Sequence, residues 1–190
     1  MMYISADGLD VLDQALKELP DKAPKAVYRT INDTMKTSLA AAKKTATSLY
    51  EIRSRTLNNR IKIRRASLGK LESVAVIKSP TLIAARFGIS PRNPKNGKQR
   101  KISMWVFKRS KKGREHLKHV FVVNKPMAPL LGEHVEGSNK LRWLYGPSAP
   151  QVMGNAEVCK AFSDRTKEYV GPRLDHYMQD ILAGDMGVIK

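Results

Sequence analysis

Residues 24–50 read PKAVYRTINDTMKTSLAAAKKTATSLY, and this stretch carries the clearest structural signal in the chain. Pro24 suits the first turn of a helix, because the N–H that proline lacks has no partner there. Apolar side chains then recur every three or four residues, at Val27, Ile31, Met35, Leu39, Ala42, Ala46 and Leu49. This spacing predicts an amphipathic helix from Pro24 to Tyr50, about seven turns long.

Upstream of this helix, Leu9, Leu12, Leu16 and Leu19 have the spacing of a shorter helix that Pro20 ends. The start of the chain has neither the basic segment nor the apolar segment of a signal peptide. No apolar run approaches the length of a membrane span, and the chain has one cysteine. We therefore expect a soluble protein made in a reducing cytoplasm, with no membrane association.

Downstream, the apolar spacing changes to the alternation of β-strands. We expect antiparallel strands at 60–64, 73–78, 81–87, 102–107, 119–123 and 141–145. A turn at 111–113 would join the fourth and fifth strands as a hairpin. Residues 90–101 and 126–138 are expected to be loops, the first because it is polar and rich in proline and glycine.

The C-terminal part predicts a second long helix. Ser148 and Gln151 have the spacing of a capping box, with Pro150 in the first turn, and apolar positions continue to Leu182. We expect a break at Gly171-Pro172. The order of elements predicts the α+β class: one domain, residues 1–190, with the two long helices packed on an antiparallel sheet and a basic extended loop or hairpin.

The basic charge is concentrated in the middle of the chain. The net charge is +18, and residues 53–125 contain 21 Lys and Arg but only two acids, Glu72 and Glu115. Residues 1–52 and 126–190 are close to neutral. A surface of one sign over some seventy residues favours a polyanionic partner over a merely solubilising face.

The candidate polyanion-facing residues lie on the expected loop and hairpin. They are Arg92, Lys95, Lys98, Arg100, Lys101, Lys108, Arg109, Lys111, Lys112 and Arg114. A second acid-free run contains Arg53, Arg55, Arg60, Lys62, Arg64, Arg65 and Lys70. With no recognition helix and no interleaved aromatics, such residues indicate contact with phosphates rather than with bases.

The sequence argues against an enzyme and against a cofactor. A two-metal nuclease needs converging carboxylates, and the basic region offers only two, far apart in sequence. The pair His116 and His119 has a spacing common by chance, and we interpret both as solvated hairpin residues rather than zinc ligands. Cys159 is interpreted as a small core residue of the last helix. Trp105, Phe87, Phe107 and Phe121 lie within apolar runs and are expected to be core.

Three features together carry a resemblance. They are the segment from Gly8 to Pro20 followed by the long Ala/Lys helix, the basic β-region after 53–57 (Arg-Ser-Arg-Thr-Leu), and the closing segments 127–129 (Met-Ala-Pro) and 143–150 (Trp-Leu-Tyr-Gly-Pro-Ser-Ala-Pro). With them the chain resembles, over nearly its whole length, the minor tail protein Z family of long-tailed bacteriophages, within the wider group of tail-completion and head–tail joining proteins. The most telling motif is Gly-Pro-Ser-x-Pro before the last helix.

The resemblance implies a structural, non-catalytic protein of a phage or prophage virion. Such proteins complete the tail at the head–tail junction and help to position double-stranded DNA. Related joining proteins form rings, often hexameric, around the DNA channel. The implied partners are tail and connector proteins, further copies of the chain, and DNA, with assembly in the host cytoplasm. The alternative is a stand-alone, sequence-independent nucleic-acid-binding protein.

Overall fold

A computed structural model describes residues 2–5, 23–91, 94–99, 102–108, 115–117, 120–126, 128–135, 137–138 and 140–183. The expected short helix at Leu9–Leu19 lies outside these residues. The helices are α1 (Ala23–Leu49), α2 (Ser54–Asn58), α3 (Ala149–Met153) and α4 (Ala156–Leu182), with one 3-10 turn at Ala84–Arg86. The strands are β1 (Met2–Ser5), β2 (Ile61–Arg64), β3 (Glu72–Ile77), β4 (Thr81–Ile83), β5 (Gly88–Ser90), β6 (Gly97–Gln99), β7 (Ile102–Trp105), β8 (Glu115–Leu117), β9 (Val120–Val123), β10 (Leu130–His134), β11 (Leu141–Trp143) and β12 (Tyr145–Ser148).

The α+β class is confirmed, and every described strand pair is antiparallel. The strands form four small sheets rather than the one sheet expected. The residues group into two compact units, which alternate along the chain. The first draws on Met1–Ala42, Ile61–Ile77 and Ala156–Lys190, and the second on Lys43–Arg60 and Lys78–Asn155. The single domain of residues 1–190 stays a prediction.

The first unit contains most of α1, all of α4, and a sheet in the order β1-β3-β2. The apolar face of α1 is buried as its periodicity predicts, and α4 buries apolar side chains as well. Polar side chains also lie on the buried face of α1, and Ser38 accepts a hydrogen bond from the Thr166 hydroxyl at 2.9 Å. Helix α1 begins at Ala23 and ends at Leu49, each within one residue of the predicted bounds Pro24 and Tyr50.

A polar cluster joins α1 to α4 within this unit. Asp33 Oδ2 accepts hydrogen bonds from Arg173 Nη2 at 2.7 Å and from the Tyr177 hydroxyl at 2.7 Å. The Arg173 guanidinium also lies 4.5 Å from the centre of the Tyr177 ring. Burial opposes ionisation of Asp33, but these hydrogen bonds and nearby positive charge outweigh it and lower the pKa of the carboxyl below its ordinary value.

Replacing Asp33 with Asn tests this cluster. A group with a lowered folded-state pKa stabilises the fold above its unfolded pKa, and that stabilisation is lost as pH falls through the folded value. We expect D33N to lower the free energy of unfolding by about 1 kcal/mol at pH 7, and by less below about pH 4. Urea unfolding at both pH values measures this. The matched control, D175N at an exposed position of α4, should change little at either pH, and a D33N effect independent of pH would contradict the assignment.

The second unit contains the other three sheets, in the orders β11-β10-β9-β6, β5-β7-β8 and β12-β4. Its core is a cluster of fully buried side chains on the strands and the 3-10 turn: Ala84, Ile102, Val120, Val122 and Leu131. The end of α1 is held to the chain after β7, because Glu51 N donates to the Val106 carbonyl at 2.8 Å and Lys108 N donates to the Leu49 carbonyl at 2.9 Å.

The predicted capping box is confirmed. Ser148 Oγ accepts from Gln151 N at 3.4 Å, and Gln151 Oε1 accepts from Ser148 N at 2.8 Å. The predicted break at Gly171-Pro172 is wrong, since α4 continues through Pro172. Glu168, whose carbonyl loses its N–H partner, and Pro172 are both exposed, so water can solvate that carbonyl. The helical segment is interrupted instead at Gly154, whose N–H donates to the Pro150 carbonyl at 2.8 Å.

Three other expectations are corrected. β7 pairs with β8, whereas β9 pairs with β10 and β6, so 102–107 and 119–123 do not form a hairpin with each other. Strand β10 lies where a loop was expected at 126–138, and β6 lies within the expected loop 90–101. Cys159 is exposed rather than a core residue, whereas its neighbour Val158 is buried. No helix in the described part of the chain is long and apolar enough to cross a membrane.

Candidate nucleic-acid interface

In the first unit, the β2–β3 hairpin presents exposed basic side chains. Lys62, Arg64, Arg65 and Lys70 are all exposed, and β2 is an edge strand of its sheet among the described strands. Lys70 pairs with Glu72 at 3.3 Å. Within the described residues, no ion pair neutralises the other three. The hairpin thus presents a cluster of mostly uncompensated positive charge.

The hairpin is anchored to α1 by one side chain. Asn32 Oδ1 accepts from Ala66 N at 2.8 Å, and Asn32 Nδ2 donates to the Ala66 carbonyl at 3.0 Å. Ser73 Oγ also donates to the Arg64 carbonyl at 3.1 Å. These bonds fix the backbone beside Arg64 and Arg65, so the two guanidinium groups extend from a rigid base. No sequence pattern had singled out Asn32.

In the second unit, a second group of cations lies around α2. Ile52 and Leu57 are buried and hold this short helix against the unit, whereas Arg53, Arg55 and Arg60 are exposed. The segment 52–60 therefore has two faces: its apolar residues pack against the unit, and its arginines face solvent. The acid-free run 53–70 is therefore two groups, one in each unit.

Beside α2, the second unit has an open cavity of about 530 Å³. Its lining includes three cationic side chains, Arg53, Arg86 and Lys108, and one carboxylate, Glu51. The hydroxyl-bearing Thr56 lies among them. The backbone bonds that hold Glu51 and Lys108 at the end of α1 also fix the cavity's polar side.

The cavity's other side is apolar and includes Trp105 and Phe87. Trp105 lies directly over Gly88 of the neighbouring strand: a Cβ at Gly88 would be only 2.1 Å from the indole Cε2. The absence of a side chain at Gly88 is what lets the ring approach the backbone this closely. The close packing on Gly88 thus fixes the position of the Trp105 ring in the cavity lining.

Of the ten candidate polyanion-facing residues, the structure describes three. Lys108 lies in the cavity lining and Lys95 is exposed. Lys98 lies on β6, opposite Phe121 of β9. The remaining seven lie outside the described residues: Arg92, Arg100, Lys101, Arg109, Lys111, Lys112 and Arg114.

Sequence reasoning missed Arg86 and misjudged two aromatics. The run 81–87 was expected to be one strand, but it ends at Ile83, and the 3-10 turn that follows carries Arg86 to the cavity. Phe87 and Trp105 both line the cavity, but Phe87 is buried as expected, whereas Trp105 is only partly buried. Phe107 is 49% exposed and packs against Tyr50 with ring centres 4.8 Å apart.

The described residues contain no group of three or more His, Cys, Asp or Glu side chains arranged to hold a metal ion. His116 lies on β8, and His119 falls outside the described ranges. What the arrangement offers chemically is positive charge beside aromatic and aliphatic surface. No family model, no curated protein and no solved structure matches this chain.

Proposed function

We propose that this chain is a structural, non-catalytic component of a long-tailed phage or prophage virion. In this proposal it completes the tail at the head–tail junction and helps to position double-stranded DNA. The observation that carries the proposal is the run from 53 to 65, where Arg53, Arg55, Arg60, Lys62, Arg64 and Arg65 are all exposed and no acid intervenes.

Charge of one sign suits a partner whose own charge is regular and independent of sequence. Duplex DNA carries one negative charge about every 1.7 Å along its axis. Exposed arginines on rigid supports can contact successive phosphates without reading bases. Support for the place in the virion comes from the resemblance to the minor tail protein Z family, whose most telling motif contains the capping Ser148.

The proposal includes assembly with tail and connector proteins, and with further copies of this chain in a ring, in the host cytoplasm. A ring around a DNA channel needs a basic surface toward the phosphates. The exposed cations of both units supply candidates for that surface. The proposal includes no catalysis, since the basic region offers only two acids, Glu72 and Glu115, which are far apart in sequence.

A null mutation in the gene that encodes this chain tests the proposal. We expect the null lysate to contain filled heads and tails that do not join into infectious particles, with at least a hundredfold loss of titre. Adding the purified protein should restore joining, and electron microscopy of the particles should show the protein as a ring on the tail axis. The matched control is the same null lysate supplemented with heat-unfolded protein.

Two results would contradict this place in the virion. One is a null lysate with normal titre. The other is a protein recovered only outside particles but bound to nucleic acid, which would support the stand-alone nucleic-acid-binding alternative. A single copy of the protein away from the tail axis would contradict the ring.

A further inference from the structure

We propose that the cavity of the second unit binds a single nucleotide unit, with its phosphate at Arg53, Arg86 and Lys108 and its base beside Trp105. Such a site could not be occupied by intact duplex DNA, because a base within a duplex is stacked and cannot enter the cavity. It does not depend on the proposed place in the virion.

The charge of the lining fits a terminal phosphate. Three cations and the Glu51 carboxylate leave a net charge of about +2 among the lining residues. A phosphate monoester carries about −1.5 to −2 at neutral pH, whereas a phosphodiester carries one negative charge. Two guanidinium groups can each donate a pair of hydrogen bonds to phosphate oxygens, and lysine adds a point charge.

The apolar side of the lining fits a planar base. Trp105 offers an indole ring whose position is fixed over Gly88, and Ile52, Ile89 and Pro129 add aliphatic surface. Bases of any sequence stack on aromatic rings, because every base has a π-face. The volume of about 530 Å³ lies within the range of small-molecule sites, about 300–1,000 Å³. A bare phosphate would leave this apolar surface unused.

The same nucleotide unit could come from a free mononucleotide or from the 5′-phosphorylated end of a nucleic-acid strand. Calorimetric titration with dAMP, deoxyadenosine and inorganic phosphate measures the site itself. We expect dAMP to bind at least tenfold more tightly than either fragment, and to quench the fluorescence of Trp105 in a W143F background. A 5′-phosphorylated single-stranded oligonucleotide that competes with dAMP, where its 5′-hydroxyl counterpart does not, identifies a strand end as the source.

Matched variants separate the cavity from general charge. We expect R53Q and R86Q each to weaken dAMP binding roughly tenfold or more, since each removes charge-assisted hydrogen bonds. R55Q carries the same charge change two residues from Arg53, at an exposed position outside the lining, and should leave dAMP affinity unchanged. Circular dichroism spectra verify that each variant is folded.

Equal affinity for dAMP and deoxyadenosine would overturn the phosphate assignment. Equal affinity for dAMP and inorganic phosphate would overturn the base assignment. An R55Q effect as large as that of R53Q would overturn the site. None of these results bears on head–tail joining, which is measured with the null lysate, so the two proposals fail separately.

Discussion

Replacing Lys108, Arg109, Lys111 and Lys112 with Gln should flatten the salt dependence of duplex DNA binding and weaken that binding steeply. Each phosphate that a protein neutralises releases condensed counterions, which contributes about −0.9 to the slope of log K against log salt. Four lost contacts would therefore reduce the slope by about 3.6, and affinity at 0.1 M salt by roughly a thousandfold. The measurement is fluorescence anisotropy of labelled duplexes over a range of salt concentrations.

We expect this variant to remain folded. Lys108 is exposed, and the other three fall between β7 and β8, the strands that pair with each other. On the proposed function, tails with the four-residue variant should still assemble but should join heads, or hold DNA for ejection, poorly. A wild-type slope together with a wild-type titre would show that this segment is only a solvated face.

Two further variants with the same charge change locate the contact. Neutralising Lys62, Arg64, Arg65 and Lys70 tests the hairpin of the first unit. The control neutralises four exposed lysines outside the basic region: Lys44, Lys140, Lys160 and Lys167. If phosphates meet a defined surface, the control keeps the wild-type slope. If all three variants lower the slope equally, only net charge matters.

Local chemistry explains what the sequence predicted well. The stripe of α1 repeats at the helical period over 27 residues, so a few errors in single positions could not hide it. The capping box needs only Ser148 and Gln151, which are neighbours in the chain, and its geometry does not depend on the rest of the fold.

Strand pairing could not be predicted in the same way, because alternation identifies a strand but not its partner. Residues 120–123 are all β-branched or aromatic and are easily identified as a strand, yet they pair with β10, whose sequence Leu-Leu-Gly-Glu-His lacks β-branched residues. The strand β10 forms because Leu131 fills the core of the second unit. That reason lies in tertiary packing and is invisible in a window of five residues.

The sequence predicted the positive charge of the candidate site, but only part of where its residues lie in the fold. Charge counts along the chain identify the basic region, but they cannot divide the run 53–70 between two units. Arg86 was missed because an apolar run hides a 3-10 turn, which directs its side chain to the cavity. Trp105 was assigned to the core because strand alternation does not distinguish a core face from a cavity wall.

Replacing Gly146 with Ala should destabilise the fold strongly. Gly146 lies on β12 opposite Leu82, and the Phe87 ring packs over it. A Cβ at position 146 would lie 2.3 Å from Phe87 Cε2 and 2.6 Å from Cδ2. Phe87 is 6% exposed, so displacing its ring would disturb the packing around it. Overpacking of this kind costs about 3 kcal/mol, or roughly 6–12 °C in Tm for a chain of this length.

A double-mutant cycle distinguishes this clash from a general effect of losing glycine. F87A alone should also destabilise, by about 3–5 kcal/mol, because it leaves a cavity. With the ring removed, G146A no longer meets an obstacle, so the double variant should be more stable than the sum of the single effects requires. The control is G69A, where an added Cβ meets no atom within 4 Å and should change stability by less than about 0.5 kcal/mol.

Additive costs in the cycle would show that Phe87 does not determine the need for glycine at 146. A coupling above about 1 kcal/mol would instead give the Gly-Pro-Ser-x-Pro motif a physical basis at two of its positions. Gly146 would be required because an aromatic ring occupies the space of its side chain. Ser148 is required because it caps α3. Because Phe87 also lines the cavity, the same packing that excludes a side chain at 146 holds the wall beside Trp105 in place.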